Sequence, residues 1–253
     1  MAPPEKPTVV LIAGSWHYGS IYEPVAAILR AQGYPVELVT LLSTGGPHSA
    51  TAADDAAHLR STLLDGLVAD GKEIIMVLHS YAGIPGGDSV KGLARKDLAA
   101  AGQRGGVIAL VYLAAFLLPT GQSIDSAVGG ADKILAFDGG EATMPNPAVR
   151  FYNDLDEITA TKYVARLAPY SATPTIFSPV TYEAYRDIPS IYLLCENDAT
   201  ISLDAQKAMV GGAGEGVVEV QSCPAAHSPM LSSPKIVSDV IDKAARSAVA
   251  VDA

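Results

Sequence analysis

The chain has 253 residues, of which 49% are hydrophobic and 17% are charged, a composition typical of a folded protein with a substantial core. This composition excludes disordered, collagen-like and coiled-coil chains. Lysine and arginine total 17 against 27 aspartates and glutamates, so the net charge is −10 and the chain lacks the basic surface that nucleic-acid binding requires.

The apolar run 9–13 is far shorter than a secretory signal or a transmembrane helix requires. A cytoplasmic protein without a membrane partner is therefore expected. Cys195 and Cys223 are too few for a metal cluster or a disulfide framework. Reduced thiols in the core are the preferred interpretation, and at most one bridge could join them.

Six short apolar runs predict β-strands. These runs are 8–13, 35–39, 73–78, 106–113, 190–194 and 217–221. Apolar residues at helical spacing predict helices between 21 and 33, over 51–70 and over 233–246. Because strands alternate with helices, the pattern indicates an α/β fold with a mostly parallel central sheet flanked by helices, whose functional loops lie at the carboxyl ends of the strands.

Residues 119–187 interrupt this alternation. They contain several prolines and the aromatic residues Phe137, Phe151 and Tyr152, and no buried strand is predicted among them. We interpret 119–187 as a cap inserted into a core that comprises residues 1–118 and 188–253.

Ser80 lies directly after a predicted buried strand and directly before a predicted helix, which is the position of a nucleophile elbow. The common form of this motif has glycine two residues before and two residues after the serine, whereas this chain has Leu78 and Ala82. The alternative is a serine that only caps a helix. A catalytic serine would need a histidine and a carboxylate on other loops.

The chain has only five histidines, so elimination is informative. They are His17, His48, His58, His79 and His227. His227 follows the last predicted strand and is the preferred general base. Asp198 follows the preceding strand and is the preferred carboxylate, with Glu196 as a competitor. The chain order of Ser80, Asp198 and His227 is that of α/β-hydrolases.

An oxyanion hole in such a site needs two backbone N–H donors. Tyr81, the residue after the candidate nucleophile, would supply one of them, and Ser15, in the loop after the first strand, would supply the other. For the side chains of Trp16 and His17, packing under the cap and contact with substrate remain equally open.

Five blocks of sequence together resemble the α/β-hydrolase group that contains plant methyl esterases and hydroxynitrile lyases, with fungal and bacterial relatives. The blocks are 9–17, 77–83, 111–119, 191–198 and 226–231. The resemblance implies Ser80 as nucleophile, Asp198 as orienting acid and His227 as base. It also implies Ser15 and Tyr81 as oxyanion donors and a mainly helical cap after the strand that ends near Leu113.

Three positions depart from that group. Ala13 replaces the usual histidine at the end of the first strand, and Leu78 replaces the glycine that usually begins the elbow. Hydroxynitrile lyases of the group carry a lysine after the catalytic histidine, where this chain has Ser228, and a threonine in the early loop, where it has Ala13 or Gly14. Without that cation cyanide would leave unstabilised, so the residues favour hydrolysis over cyanohydrin cleavage.

The predicted function is therefore a serine hydrolase that cleaves a small, largely apolar ester or lactone, without a metal or another cofactor. Candidate substrate-binding residues are Trp16, His17, Phe116, Leu117, Tyr152 and Met230. Two alternatives are a lyase or C–C bond-cleaving enzyme that uses His227 as base on a polyketide-like metabolite, and a ligand-binding protein without turnover. The expected partner is the small-molecule substrate, and a homodimer is left open.

Overall fold

The computed structural model describes residues 5–250, apart from the side chains of residues 249 and 250. The first four and last three residues of the predicted core therefore lie outside the described residues. Six strands form the central sheet: β1 (Thr8–Ile12), β2 (Val36–Val39), β3 (Glu73–His79), β4 (Gly106–Leu113), β8 (Ser190–Cys195) and β9 (Glu219–Cys223). Their order is β2-β1-β3-β4-β8-β9, and every neighbouring pair is parallel.

The strand order reverses at β1, whose neighbours in the sheet are β2 on one side and β3 on the other. Right-handed crossovers then place the first helix on one face of the sheet and the helices that precede β3, β4 and β9 on the opposite face. Loops that follow strands on the two sides of such a reversal diverge and leave a crevice at the carboxyl edge. The loops after β1 and β3 lie at this crevice.

In the described part of the chain, twelve α-helices cover the sheet and form much of the segment 119–187. They are α1 (Glu23–Ala31), α2 (Ala52–Leu59), α3 (Asp65–Ala69), α4 (Gly83–Ser89), α5 (Arg95–Ala100), α6 (Ile124–Val128), α7 (Pro147–Tyr152), α8 (Glu157–Val164), α9 (Pro174–Phe177), α10 (Leu203–Ala213), α11 (Pro229–Ser232) and α12 (Pro234–Ala250). Within residues 5–250, none of the helices has the length and hydropathy needed to cross a bilayer.

The six predicted strands are confirmed, although β9 begins at Glu219, two residues later than predicted. The predicted helix 51–70 is interrupted by a π-helical turn at Arg60–Leu64, which separates α2 from α3. Its start is fixed by a capping box: the Thr51 side chain accepts the N–H of Asp54, and the Asp54 carboxylate accepts the N–H of Thr51.

The segment 119–187, which was predicted to be a cap and is called the cap below, contains helices α6 to α9 and also a small antiparallel sheet of β5 (Ala136–Asp138), β6 (Glu141–Thr143) and β7 (Ser171–Ala172). Ala142 and both residues of β7 are fully buried, so the prediction that the cap has no buried strand is wrong. These strands have only two or three residues and lack a run of β-branched side chains, which left no periodic signal in the sequence.

Cys195 and Cys223 are free thiols in the core, as predicted. They are register partners on β8 and β9, and their sulfur atoms lie 3.9 Å apart.

Candidate active site

Ser80 occupies a sharp turn between β3 and α4. Its backbone φ is 54°, in the left-handed region that non-glycine residues seldom adopt. The turn is held by the segment after β4, where the Phe116 N–H donates to the Ser80 carbonyl at 3.0 Å. Gly83 permits this approach, because a Cβ atom there would lie 2.1 Å from the Phe116 carbonyl oxygen. The predicted strand-turn-helix setting of Ser80 is therefore present.

Leu78 fits the elbow because residue 86, within α4, is a glycine. A Cβ atom at Gly86 would lie 2.4 Å from Leu78 Cδ2. The leucine side chain thus occupies the space that α4 leaves open. Gly86 in α4 therefore leaves room for the side chain of Leu78, which stands where the motif usually has glycine before the serine.

Ser80, His227 and Asp198 form one hydrogen-bonded chain. His227 Nε2 lies 3.0 Å from Ser80 Oγ, and His227 Nδ1 lies 2.7 Å from Asp198 Oδ2. Since a carboxylate accepts hydrogen bonds, Nδ1 carries the proton and Nε2 is left to accept the serine O–H. The alternative acid, Glu196, is exposed and instead accepts a hydrogen bond from Ser222 at 2.7 Å.

The loop that carries Asp198 is stabilised by hydrogen bonds among its own residues and with Gln206. Asp198 Oδ1 accepts the backbone N–H groups of Thr200 and Ile201 at 2.7 and 2.9 Å. The fully buried Gln206 spans the base of the loop: its amide accepts the Cys195 N–H at 2.9 Å and donates to the Ile201 carbonyl at 2.7 Å. These bonds leave Oδ2 of Asp198 directed at His227.

His79 supports the loop of His227. Its Nε2–H donates to the His227 carbonyl oxygen at 2.8 Å. Burial, with smaller contributions from the neighbouring His227 and His17, lowers the pKa of His79 well below its ordinary value. His79 is therefore a neutral donor that ties the strand before Ser80 to the backbone of the candidate base.

The loop after β1 approaches the elbow closely. At Gly14, a Cβ atom would lie 2.8 Å from Ser80 Cβ, so only glycine fits without displacing the loop. Ser15 follows Gly14 directly in the chain, and Tyr81 follows Ser80. The assignment of their N–H groups as oxyanion donors stays a prediction.

The Tyr81 side chain points away from the site and anchors the elbow to α2. Its hydroxyl donates to Asp55 Oδ2 at 2.7 Å, and Ser43 donates to the same carboxylate through its N–H and its hydroxyl. Burial raises the pKa of Asp55 above its ordinary value. The hydrogen bonds from Ser43 and Tyr81 act in the opposite direction and lower this pKa, but by less. Asp55 thereby fixes Tyr81, the residue predicted to supply one oxyanion donor.

His17 joins the loop after β1, which contains Ser15, to the cap. Its Nδ1–H donates to the Ser15 carbonyl at 2.8 Å, and its Nε2 accepts the Tyr152 hydroxyl at 2.9 Å. Burial lowers the pKa of His17 to about 4. Both ring nitrogens of this neutral histidine are engaged within the protein.

Trp16 also contacts the cap. Its indole N–H donates to the Ala142 carbonyl at 2.7 Å, and its ring packs against Phe151 with centroids 5.6 Å apart. Phe151 in turn lies against the His227 ring, with centroids 5.7 Å apart and planes 29° apart. Met230, in α11, is fully buried in the core.

A largely apolar cleft of about 600 Å³ lies between the cap and α10, next to the loop that follows Asp198. Ser80, Asp198 and His227 are not among its lining residues. Phe116 and Leu117 line it, whereas the other four candidate substrate-binding residues are not among its lining. Its other apolar walls include Leu118, Val128, Ile134 and Met209. Thr200 and Ile201, which hold Asp198, form part of the same wall. The cleft has the size and apolar lining of small-molecule sites.

Three residues that support the site were not predicted from the sequence. They are Gln206, Asp55 and His79. Gln206 and Asp55 lie on helices in polar stretches, where a solvated position is the ordinary expectation. The role of His79 as a donor to the loop of His227 depends on a contact between residues 148 positions apart. No local pattern of the sequence marks such contacts.

The hydrogen-bonded chain of Ser80, His227 and Asp198 can activate a serine hydroxyl by general-base catalysis. Within the described residues, no cluster of three or more histidine, cysteine, aspartate or glutamate side chains is placed to hold a metal ion. Ser80 is 7% exposed and His227 is 1% exposed, so the reacting groups lie in a site that largely excludes water.

Comparison with known proteins gives concordant results. The model of the alpha/beta hydrolase family matches residues 9–240. A probable hydrolase, R7, from Phoma sp. is 31% identical over 246 residues, with 93% of this chain and 97% of the relative covered. Methylesterase 7 from Arabidopsis thaliana is 25% identical over 257 residues, with 89% and 91% covered. The crystal structure of a pyrethroid hydrolase from Sphingobium faniae superposes with a TM-score of 0.72 at 22% identity, covering 95% of this chain and 97% of that one.

Proposed function

Because the chain belongs to the alpha/beta hydrolase family, as its resemblance to the methyl esterase and hydroxynitrile lyase group implied, we propose that it is a serine hydrolase of largely apolar carboxylic esters or lactones. The observation that carries the proposal is the hydrogen-bonded chain from Ser80 through His227 to Asp198, with spacings of 3.0 and 2.7 Å. The strained backbone of Ser80, at φ 54°, supports it, since strain of this kind is retained where a side chain must be presented.

In the proposed reaction, Ser80 Oγ attacks the acyl carbon while His227 Nε2 takes the hydroxyl proton. The backbone N–H groups of Ser15 and Tyr81 bind the oxyanion. His227 returns the proton to the leaving alcohol oxygen, which leaves an acyl ester on Ser80. Water then attacks this ester with His227 again as base, and Ser80 recovers its proton as the carboxylic acid departs. Asp198 stabilises the His227 imidazolium throughout.

The apolar cleft supports an apolar substrate. Its walls at Phe116 and Leu117 adjoin the backbone segment that hydrogen-bonds the Ser80 carbonyl. An acyl or alcohol group in this cleft would gain about 25 cal/mol for each Å² of apolar surface removed from water. The relatives named as a methylesterase and a pyrethroid hydrolase are in keeping with ester cleavage.

Labelling with a fluorophosphonate, followed by peptide mapping, tests the proposal. Wild-type protein should be labelled at Ser80, and both Ser80→Ala and His227→Ala should abolish labelling. Ser228→Ala is the matched control, because Ser228 is an equally buried serine beside the candidate base. Ester turnover by Ser80→Ala should fall by several orders of magnitude, since loss of a triad serine costs on the order of 10⁶ in kcat.

Two results would overturn the proposal. One is a folded wild-type protein that is not labelled, and the other is a Ser80→Ala variant that retains ordinary turnover. Turnover that requires His227 but not Ser80 would point instead to base-only lyase chemistry.

A further inference from the structure

Five consecutive cap residues, 150–154, contact the loops that form the candidate site. We call this segment the cap clamp. It comprises the C-terminal half of α7 and the two residues that follow the helix. Each of its members touches the loop of Asp198, the loop of His227 or the loop after β1 that contains Ser15.

Two members of the cap clamp hold the loop of Asp198 from both sides. Arg150 Nη1 donates to the Ala199 carbonyl at 2.7 Å, and the Thr200 hydroxyl returns a bond of 2.7 Å to the Arg150 carbonyl. Asn153 Nδ2 donates to the Asn197 carbonyl at 2.9 Å. The backbone immediately before and after Asp198 is thus bonded to the cap.

Two further members hold the loop of His227. Asp154 Oδ2 accepts the backbone N–H of Ala226, the residue before His227, at 2.8 Å. Phe151 covers one face of the His227 ring. The remaining member, Tyr152, donates its hydroxyl to His17, which holds the Ser15 carbonyl.

We propose that the cap clamp positions Asp198 and His227 for the activation of Ser80, so that the cap forms part of the catalytic apparatus as well as a cover over substrate. The loops of Asp198 and His227 extend beyond β8 and β9, outside the strand pairing that fixes the sheet. Displacement of a catalytic group by about 1 Å costs roughly a hundredfold in rate. Hydrogen bonds at residues 197, 199, 200 and 226 restrain these loops on both sides of the reacting pair.

The decisive variants are Asp154→Ala and Asp156→Ala. Both carboxylates belong to exposed cap residues, but Asp154 accepts a hydrogen bond from the loop of His227, whereas Asp156 accepts the N–H of Thr159 within the cap itself. Asp154→Ala should slow fluorophosphonate labelling of Ser80 by about tenfold to a hundredfold. It should lower kcat equally and change KM by less than about twofold, because substrate binding is untouched. Asp156→Ala should label at close to the wild-type rate.

Asp154→Asn provides the rescue, since its side-chain oxygen can still accept the Ala226 N–H, and it should recover most of the labelling rate. If Asp154→Ala does not fold, Asn153→Ala tests the same proposal from the side of Asp198 and should slow labelling in the same way. Labelling rates within about twofold of each other for Asp154→Ala and Asp156→Ala, with both proteins folded, would overturn the proposal.

A second readout separates this inference from the proposed function, on which the rate measurements rest. The proton shared by His227 Nδ1 and Asp198 should give a far-downfield NMR signal that needs no turnover. Asp154→Ala should broaden or shift this signal, and Asp156→Ala should leave it unchanged. If wild-type Ser80 is not labelled, the proposed function fails while this signal still tests the positioning. An identical signal in both variants would overturn the inference.

Discussion

Lowering the pH from 7 to 4 should destabilise the protein through His17. In the folded state burial lowers the pKa of this residue to about 4, whereas in the unfolded chain its ordinary value is 6.5. Between these values only the unfolded chain binds the proton. The stabilisation from a neutral, buried His17 is thus fully present above pH 6.5 and is lost as the pH falls to about 4.

The magnitude follows from the interval of about 2.5 pH units between 6.5 and about 4. Each unit corresponds to about 1.4 kcal/mol, so His17 alone should lower the free energy of unfolding by about 3 kcal/mol across this range. His79, whose pKa is also lowered by burial, adds to the loss in the same direction.

Urea denaturation at a series of pH values measures this contribution. His17→Gln removes the titrating group, so its free energy of unfolding should fall less steeply with acid than that of the wild type. His58→Gln is the control, because His58 is exposed on α2 and its replacement should leave the wild-type pH dependence intact. Parallel curves for the wild type and His17→Gln would refute the reasoning.

Two further predictions concern α4 and the apolar cleft. Gly83→Ala should destabilise the protein by about 1–3 kcal/mol in urea, because its Cβ would meet the Phe116 carbonyl oxygen, which is backbone and cannot turn aside. Gly66→Ala on α3 meets nothing within 4 Å and should be neutral or stabilising by up to about 1 kcal/mol; equal losses in both variants would contradict the steric argument. Ala208→Trp should fill the cleft and lower kcat/KM for dodecanoyl esters by at least about tenfold while sparing acetyl esters. Lys207→Trp, on the same helix but outside the cleft, should spare both, and an equal loss for both esters in Ala208→Trp would argue against apolar binding there.

The strands and the residues of the candidate site could be predicted because their signals are local. Each strand of the central sheet is a short apolar run, and the parallel arrangement brings the loops after β3, β8 and β9 to one edge. Residue type and strand-end position then selected Ser80 and His227. Asp198 was preferred over Glu196 from its place after the strand, and in the structure Asp198 lies 2.7 Å from His227 whereas Glu196 is exposed.

The supports of the site could not be predicted, because they depend on contacts between distant segments. Asn153 and Asp154 are exposed polar residues after a short cap helix, and nothing in their sequence distinguishes them from exposed residues that make no contact with the site loops. The cap sheet escaped prediction because its strands are too short to show a period of two. Gln206 is buried only because the loop of Asp198 folds over it.

Ser80 and His227 are separated by 147 positions, whereas His227 and Asp198 are separated by 29. A long segment must be ordered before Ser80 and His227 can meet. Because closing a long loop costs chain entropy before the contact stabilises the fold, we expect this contact to form late in folding. A nascent chain that has not yet emerged beyond β8 contains the elbow but no base. We therefore expect reactivity at Ser80 to appear during refolding only after most of the sheet has formed. The time at which fluorophosphonate labelling begins would then report when the native topology is complete.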